Sequence, residues 1–268
     1  MIEHGAVEEP TLRDDLARIA DALAEATRAL SRFTPGDVAS RAKSGGDPVT
    51  EADTLIDALL RQALLRTGEG WLSEETHDDR SRLGRSRVWV VDPLDGTREF
   101  VTGLPEWSVS VALVVDGEPV AGGICNPARG ETFLGAHGHG VTRNGAPVQV
   151  SARADLAGAE VLASRTEVGR GQWQRFAASP FSVVAMGSVA YKLARVAAGL
   201  ADATWTLVPK HEWDVAAGVA LVLAAGGRIL AGSPQEHRFN RPEPLLSRLI
   251  AAPPQLLPQI EAEIARRE

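Results

Sequence analysis

The sequence predicts a mixed α/β protein, and three patterns carry that prediction. Residues 107–115 alternate and are β-branched, with Val109, Val111, Leu113 and Val115 in step, and 120–125 is the return strand across an Asp116-Gly117 hairpin turn. Residues 11–33 repeat apolar side chains at steps of three and four: Leu12, Leu16, Ile19, Leu23, Ala26 and Leu30. From residue 151 onward, short strand-like runs alternate with helical ones. The first half therefore reads as an antiparallel meander with helices on one face, and the second as an α/β unit. The change falls near residue 150, dividing 1–150 from 151–268. The chain has 268 residues, 44% hydrophobic and 24% charged, which suits one large domain or two small ones lying on each other.

Taken in order, Thr11 with Asp14 has the form of a capping box at the first helix start, and Pro35-Gly36 ends that helix. Ser44-Gly45-Gly46-Asp47-Pro48 is a loop. A second helix follows, with Leu55, Ile56, Leu59, Leu60 and Leu64 as its stripe. Gly70-Trp71-Leu72-Ser73 is a short strand ending in Glu74-Glu75, and residues 77–82 read as a solvated charged loop. Residues 87–91 form a strand that runs into Asp92-Pro93-Leu94-Asp95-Gly96-Thr97, a turn fixed by Pro93 and Gly96. Residues 131–134 are another strand, and glycines punctuate 135–145 around His137 and His139. The second half gives strands at 159–163, 182–185, 203–207, 228–230 and 248–252, with helices at 188–198, 215–225 and 256–267.

The net charge of −7 argues against nucleic-acid polymers as partners. Cys125 is the one cysteine, so no internal disulfide exists and a buried thiol is expected. No apolar run approaches about 18 residues, so no membrane span is expected. Residues 1–5 have neither a basic nor an apolar signal region. A cytoplasmic protein is the expectation.

The acids carry the functional information. Asp92 and Asp95 are held close, and two such carboxylates repel unless one keeps a proton or a cation joins them. A hard divalent ion such as Mg²⁺ suits carboxylate and carbonyl oxygens. A plain turn closing a strand is the alternative, and those six residues leave both open. Asp53, in Thr50-Glu51-Ala52-Asp53, has the spacing of a capping partner. Asp214 sits where a helix starts and suits its dipole. Together with Glu74, these five acids at element ends are what an oxygen-ligated multi-metal site requires.

The set resembles the inositol monophosphatase superfamily of Mg²⁺-dependent, Li⁺-sensitive phosphatases. The residues that carry the resemblance are Asp47-Pro48-Val49-Thr50-Glu51-Ala52-Asp53, Ser73-Glu74-Glu75, Asp92-Pro93-Leu94-Asp95-Gly96-Thr97 and Trp213-Asp214-Val215-Ala216-Ala217-Gly218, in the family's order. The resemblance implies a layered αβαβα sandwich of the inositol monophosphatase and fructose-1,6-bisphosphatase type, a homodimer, and Mg²⁺, two or three ions per site. It implies that Glu74, Asp92, the Leu94 carbonyl, Asp95 and Asp214 ligate the metals. Asp53, Thr97 and Glu74 would serve the attacking water, and the Gly96 and Thr97 N–H groups would hold phosphate. Arg98, Gly187, Ser188, Lys192 and Asp214 would face the substrate.

The resemblance implies a small phosphorylated metabolite as substrate. Arg98-Glu99-Phe100 looks more like the CysQ-type 3′(2′),5′-bisphosphate nucleotidases, which convert 3′-phosphoadenosine 5′-phosphate to AMP. Ser73-Glu74-Glu75, Glu212-Trp213-Asp214, and Phe239-Asn240 ahead of Glu243-Pro244-Leu245 lean the same way. The acid that inositol monophosphatases place shortly before Trp-Asp has no match at Thr206 or Leu207. Gly103-Leu104-Pro105-Glu106-Trp107 resembles the inositol monophosphatase branch, so inositol-1-monophosphatase or another small sugar or polyol phosphatase is the alternative. A second phosphate would need cations, for which Arg98, Lys192, Lys210 and Arg241 are the candidates. A non-catalytic phospholigand-binding regulator on the same fold would have lost Thr97 or an acid, and none is lost.

Overall fold

The computed structural model describes residues 11–42 and 48–267, so Asp47 and most of the loop expected at 44–48 lie outside the described residues. The chain opens with α1 (Leu12–Leu30), and Thr11 and Asp14 make the expected reciprocal cap. Then come β1 (Ser40–Ala42), β2 (Pro48–Thr50) and α2 (Glu51–Leu64). These are followed by β3 (Gly70–Ser73), β4 (Arg87–Asp95), α3 (Thr97–Val101), β5 (Ser108–Val115), β6 (Glu118–Asn126), β7 (Glu131–Ala136), β8 (Gly140–Arg143) and β9 (Ala146–Val148). The second half runs β10 (Glu160–Ser164), α4 (Arg165–Gly169), β11 (Ser182–Met186), α5 (Val189–Ala197), β12 (Ala203–Thr206), β13 (Lys210–His211) and α6 (Glu212–Ala224). It closes with β14 (Arg228–Ala231), β15 (Leu245–Leu246), β16 (Leu249–Ala252) and α7 (Leu257–Arg267).

Strands β3 to β9 form one seven-stranded sheet in sequence order, antiparallel except for the parallel β3–β4 pair. The period-2 alternation read from the sequence decides its two faces. Trp89, Val91, Val109, Val111 and Leu113 pack under α1 and α2. Val88, Val90, Ala112 and Val114 pack instead against α5 and α6. The five-stranded sheet, ordered β11-β10-β12-β16-β14, closes the other side of α5 and α6 with Leu162, Met186, Leu249 and Ala251. Its outer face carries Trp173, Phe176, Phe181 and Trp205 together with Ile260 and Ile264 of α7. The layers are thus αβαβα, and the middle helix layer is shared by both sheets. So α1 and α2 keep to one face of the first sheet, and second-half helices cover its other face.

Three local expectations change. The glycine-punctuated stretch after β7 contains two further strands, β8 and β9. Strand β4 does not end at Val91 but continues to Asp95 through an irregularity that sets Asp92 opposite Ser110 and Asp95 opposite Ser108. The charged loop 77–82 is not simply solvated, because Arg82 is 0% exposed. Its guanidinium donates to Asp78 Oδ2 at 2.8 Å, Asn240 Oδ1 at 2.7 Å and the Arg241 carbonyl at 3.0 Å. No helix among the described residues is long and apolar enough to cross a membrane.

Candidate active site

Strand ends bring the acids together. The parallel register pairs Ser73 with Val91, so Glu74, just past the end of β3, and Asp92, inside β4, follow side by side. The Glu74 N–H donates to the Val91 carbonyl at 3.3 Å. Asp92 Oδ1 accepts the Leu94 N–H at 3.0 Å, which bends the backbone toward Asp95. Asp95 Oδ2 accepts from Ser188 Oγ and from the Ala190 N–H, each at 2.6 Å. This ties the first sheet to the start of α5. Gly96 then turns the chain with φ +94°, where a Cβ would also meet the Glu106 carbonyl at 2.8 Å.

Behind this turn, Thr97 Oγ1 lies 3.0 Å from Asp53 Oδ1 and 2.9 Å from the Leu94 carbonyl. Asp53 Oδ2 meanwhile accepts from the Thr50 N–H at 2.8 Å and Thr50 Oγ1 at 2.6 Å. Asp53 therefore caps α2 with one oxygen and faces Thr97 with the other. Asp214 is likewise a helix-start acid, accepting the His211 N–H at 2.9 Å while facing the cavity.

That cavity has a volume of about 370 Å³. Glu74, Asp92, Leu94, Asp95, Gly96, Thr97, Arg98, Gly187, Ser188, Lys192 and Asp214 all line it, and of the metal, water and phosphate residues that the resemblance implies, Asp53 alone stands back, behind Thr97. Lys192 is not a surface lysine: it is 4% exposed, and its Nζ donates to the Ser188 carbonyl at 3.0 Å. Arg241 does not reach the cavity, being held instead by Glu212 and the Leu245 carbonyl. Lys210 does reach it, and so does Arg170, which the sequence did not single out. Also missed were Glu99 and Glu167. The Glu99 carboxyl lies against Gly187, where a Cβ would come within 2.5 Å of it. Glu167 fits a Ser164-Arg165-Thr166-Glu167 capping pattern, a signal available in the sequence. Its Oε2 accepts the Leu207 N–H at 3.4 Å, so an acid stands beside Leu207 although none is adjacent in sequence.

Burial and mutual repulsion shape the electrostatics. Burial raises Asp92 well above the usual carboxylate range, and the charges of Glu74, Asp95 and Asp214 add to this. Burial, then Asp95 and Glu74, push Asp214 up to about 8. Burial raises Asp95 too, against the Ser188 hydrogen bond and Lys192. Burial raises Asp53 against its bonds from Thr50 and Thr97. Burial lowers Lys192 to about 8 although Asp95 opposes this.

As the side chains stand, no group of three or more Asp, Glu, His or Cys among the described residues is assembled to hold an ion. The donor chemistry nonetheless fits a hard divalent cation. Four carboxylates and the Leu94 residue share one cavity wall, and three of the acids drive one another toward protonation. A cation would remove that repulsion and restore their charge.

Residues 11–267 match the inositol monophosphatase family. The chain belongs to that family. It is 35% identical over 194 residues to an inositol-1-monophosphatase of Rhizobium meliloti (strain 1021), covering 69% of this chain and 72% of that protein. It is 36% identical over 224 residues to a 3′-phosphoadenosine 5′-phosphate phosphatase of Mycobacterium bovis, covering 80% and 79%. The solved inositol monophosphatase of Anabaena (Nostoc) sp. PCC 7120 superposes with a TM-score of 0.76 at 26% identity, covering 95% of this chain and 96% of that one. The protein is thus a phosphatase of a metal-dependent family whose substrates are small phosphorylated metabolites.

Proposed function

We propose that the protein removes the 3′-phosphate of a 3′(2′),5′-bisphosphonucleotide such as 3′-phosphoadenosine 5′-phosphate. One observation carries this reading: Lys192, Lys210, Arg98 and Arg170 line the same cavity as the acid wall. A second phosphate needs such cations and a lone phosphate does not.

The acid wall would perform the hydrolysis. Glu74, Asp92, the Leu94 carbonyl, Asp95 and Asp214 would hold Mg²⁺, which when bound neutralises phosphoryl oxygens and acidifies water. Thr97 Oγ1 accepts one proton of the attacking water as its own proton passes to Asp53 Oδ1, 3.0 Å away. The raised affinity of buried Asp53 for a proton suits that role. The Gly96 and Thr97 N–H groups orient the phosphoryl oxygens for in-line attack; as the water oxygen bonds to phosphorus the bond to the 3′ oxygen breaks, and that departing oxygen takes a proton from solvent. Ser188 fixes Asp95 in place and caps α5 through the Tyr191 N–H at 3.0 Å.

A second reading, a sugar or polyol monophosphatase, is favoured by Ser164, Thr166 and Glu167, which offer hydroxyl partners on the opposite wall. A panel decides between them. With Mg²⁺, phosphate release is measured from 3′-phosphoadenosine 5′-phosphate, inositol 1-phosphate, fructose 1,6-bisphosphate and histidinol phosphate. The proposal expects the nucleotide to lead by about tenfold in kcat/KM, roughly 1.4 kcal/mol. An equal lead for inositol phosphate overturns it.

A further inference from the structure

Glu167 is an acid for which the hydrolysis above has no use, yet it is 2% exposed and lines the same cavity. Its two oxygens stand in different situations. Oε2 is fixed by Trp173 Nε1 at 2.9 Å and by the Leu207 N–H at 3.4 Å. Oε1 is buried with no hydrogen-bond partner among the described residues. The Lys210 ammonium stands 4.0 Å from it, beyond hydrogen-bond reach. A buried carboxylate oxygen without a donor is costly, and native sites rarely keep one without a purpose.

The side chain cannot easily turn away. Ser164 Oγ accepts the Glu167 N–H at 3.4 Å and starts α4. The next residue, Arg165, grips Glu106 with a fork at 3.0 and 2.7 Å, and Glu106 accepts the Gly187 N–H at 2.8 Å. So α4 is pinned to the segment that leads into Ser188. The group missing at Oε1 must be a donor. An anionic phosphate oxygen would be repelled there and would go to Lys210 or Lys192 instead. A neutral hydroxyl would satisfy Oε1 and leave both ammonium groups to the anionic part of the ligand.

We infer that Glu167 Oε1 accepts a hydrogen bond from a hydroxyl on the non-phosphate half of the substrate. Glu167 is then a specificity residue, selecting sugar and polyol phosphates over esters with no hydroxyl to offer. The inference rests on the phosphatase reading above but holds for either substrate branch.

The test compares selectivity within one preparation, so partial misfolding cancels. For wild type and Glu167→Gln, kcat/KM is measured with Mg²⁺ on 3′-phosphoadenosine 5′-phosphate, inositol 1-phosphate and p-nitrophenyl phosphate, which has no hydroxyl. The expected result is that the ratio of the better hydroxylated substrate to p-nitrophenyl phosphate falls at least tenfold in Glu167→Gln. Glu167→Asp should recover part of that ratio. A ratio unchanged within a factor of two, with all esters falling together or none falling, overturns the inference and leaves the phosphatase reading intact. No release from any ester by the wild type overturns the phosphatase reading itself, and the inference with it.

Discussion

The cavity has two walls of opposite construction. On one side, Glu74, Asp92, Asp95 and Thr97 come from strand ends and one turn of the seven-stranded sheet, with Asp214 beside them at a helix start. On the other, Glu167, Lys192, Lys210 and Arg170 come from α4, α5 and β13 and the residue just past α4, scattered over the second half of the chain. The acid wall is over-determined, since each of Asp53, Asp95 and Asp214 also holds a structural hydrogen bond. The cationic wall is less fully satisfied: Lys210 meets Glu167 only at 4.0 Å, and Glu167 Oε1 has no hydrogen-bond donor among the described residues. A reaction common to a family needs fixed geometry, whereas choice of substrate needs groups that wait for a ligand. The first wall should govern turnover and the second binding.

The largest expected effect is on the acid wall. Asp95→Asn should lower kcat at least about 10³-fold, roughly 4 kcal/mol of transition-state stabilisation. Its melting temperature should hold or rise, because a buried repulsive charge is removed. Calorimetry beside steady-state kinetics checks both, and near-normal kcat would break the comparison.

Next comes the support behind that wall. Arg82 joins Asp78 to the Asn240–Arg241 segment, and that segment's Asn240 N–H donates to Glu212 of α6 at 2.7 Å. Arg82→Ala should cost about 2 kcal/mol in urea unfolding, because it empties a fully buried position and leaves the part-buried Asp78 and Asn240 without their donor. A loss near zero would mean that this network holds nothing.

Smaller is the expected effect on the cationic wall. Lys210→Met should raise KM for 3′-phosphoadenosine 5′-phosphate about tenfold, near 1.4 kcal/mol, with kcat little changed. A fall in kcat of the same size would erase the division between the walls.

The smallest effect is a pH dependence. Lys192 has a folded pKa of about 8 against an ordinary 10.5. Between those values the unfolded chain binds more protons, so this group makes stability rise with pH across that window. Substrate affinity should move the opposite way, because the folded wall loses a cation above pH 8. Lys192→Met should remove this group's share, leaving a smaller rise in stability and a smaller loss of affinity than wild type from about pH 8 to 10, measured by urea unfolding and KM.

Legibility in the sequence follows the same division. Alternation around Val109–Val115 and the helical stripe from Leu12 to Leu30 gave elements that the structure keeps, because each has one buried face. The acid wall was readable because its residues lie in contiguous stretches with fixed turn chemistry. For Glu167 only the capping pattern was readable and its place in the cavity was not, because its nearness to Leu207 and Lys210 is made by folding and not by spacing. Arg82 misled because its charged neighbours look solvated, while its partners Asn240 and Arg241 lie far along the chain. Strands β8 and β9 hid among glycines.

The most direct test of the two-wall account compares 3′-phosphoadenosine 5′-phosphate with adenosine 3′-monophosphate, which lacks the second phosphate. Both are assayed with Mg²⁺ for wild type and Lys210→Met. The account predicts that wild type prefers the bisphosphate at least about tenfold in kcat/KM, mostly through KM, and that Lys210→Met loses most of that preference. Equal kcat/KM values for the two nucleotides in the wild type would contradict it.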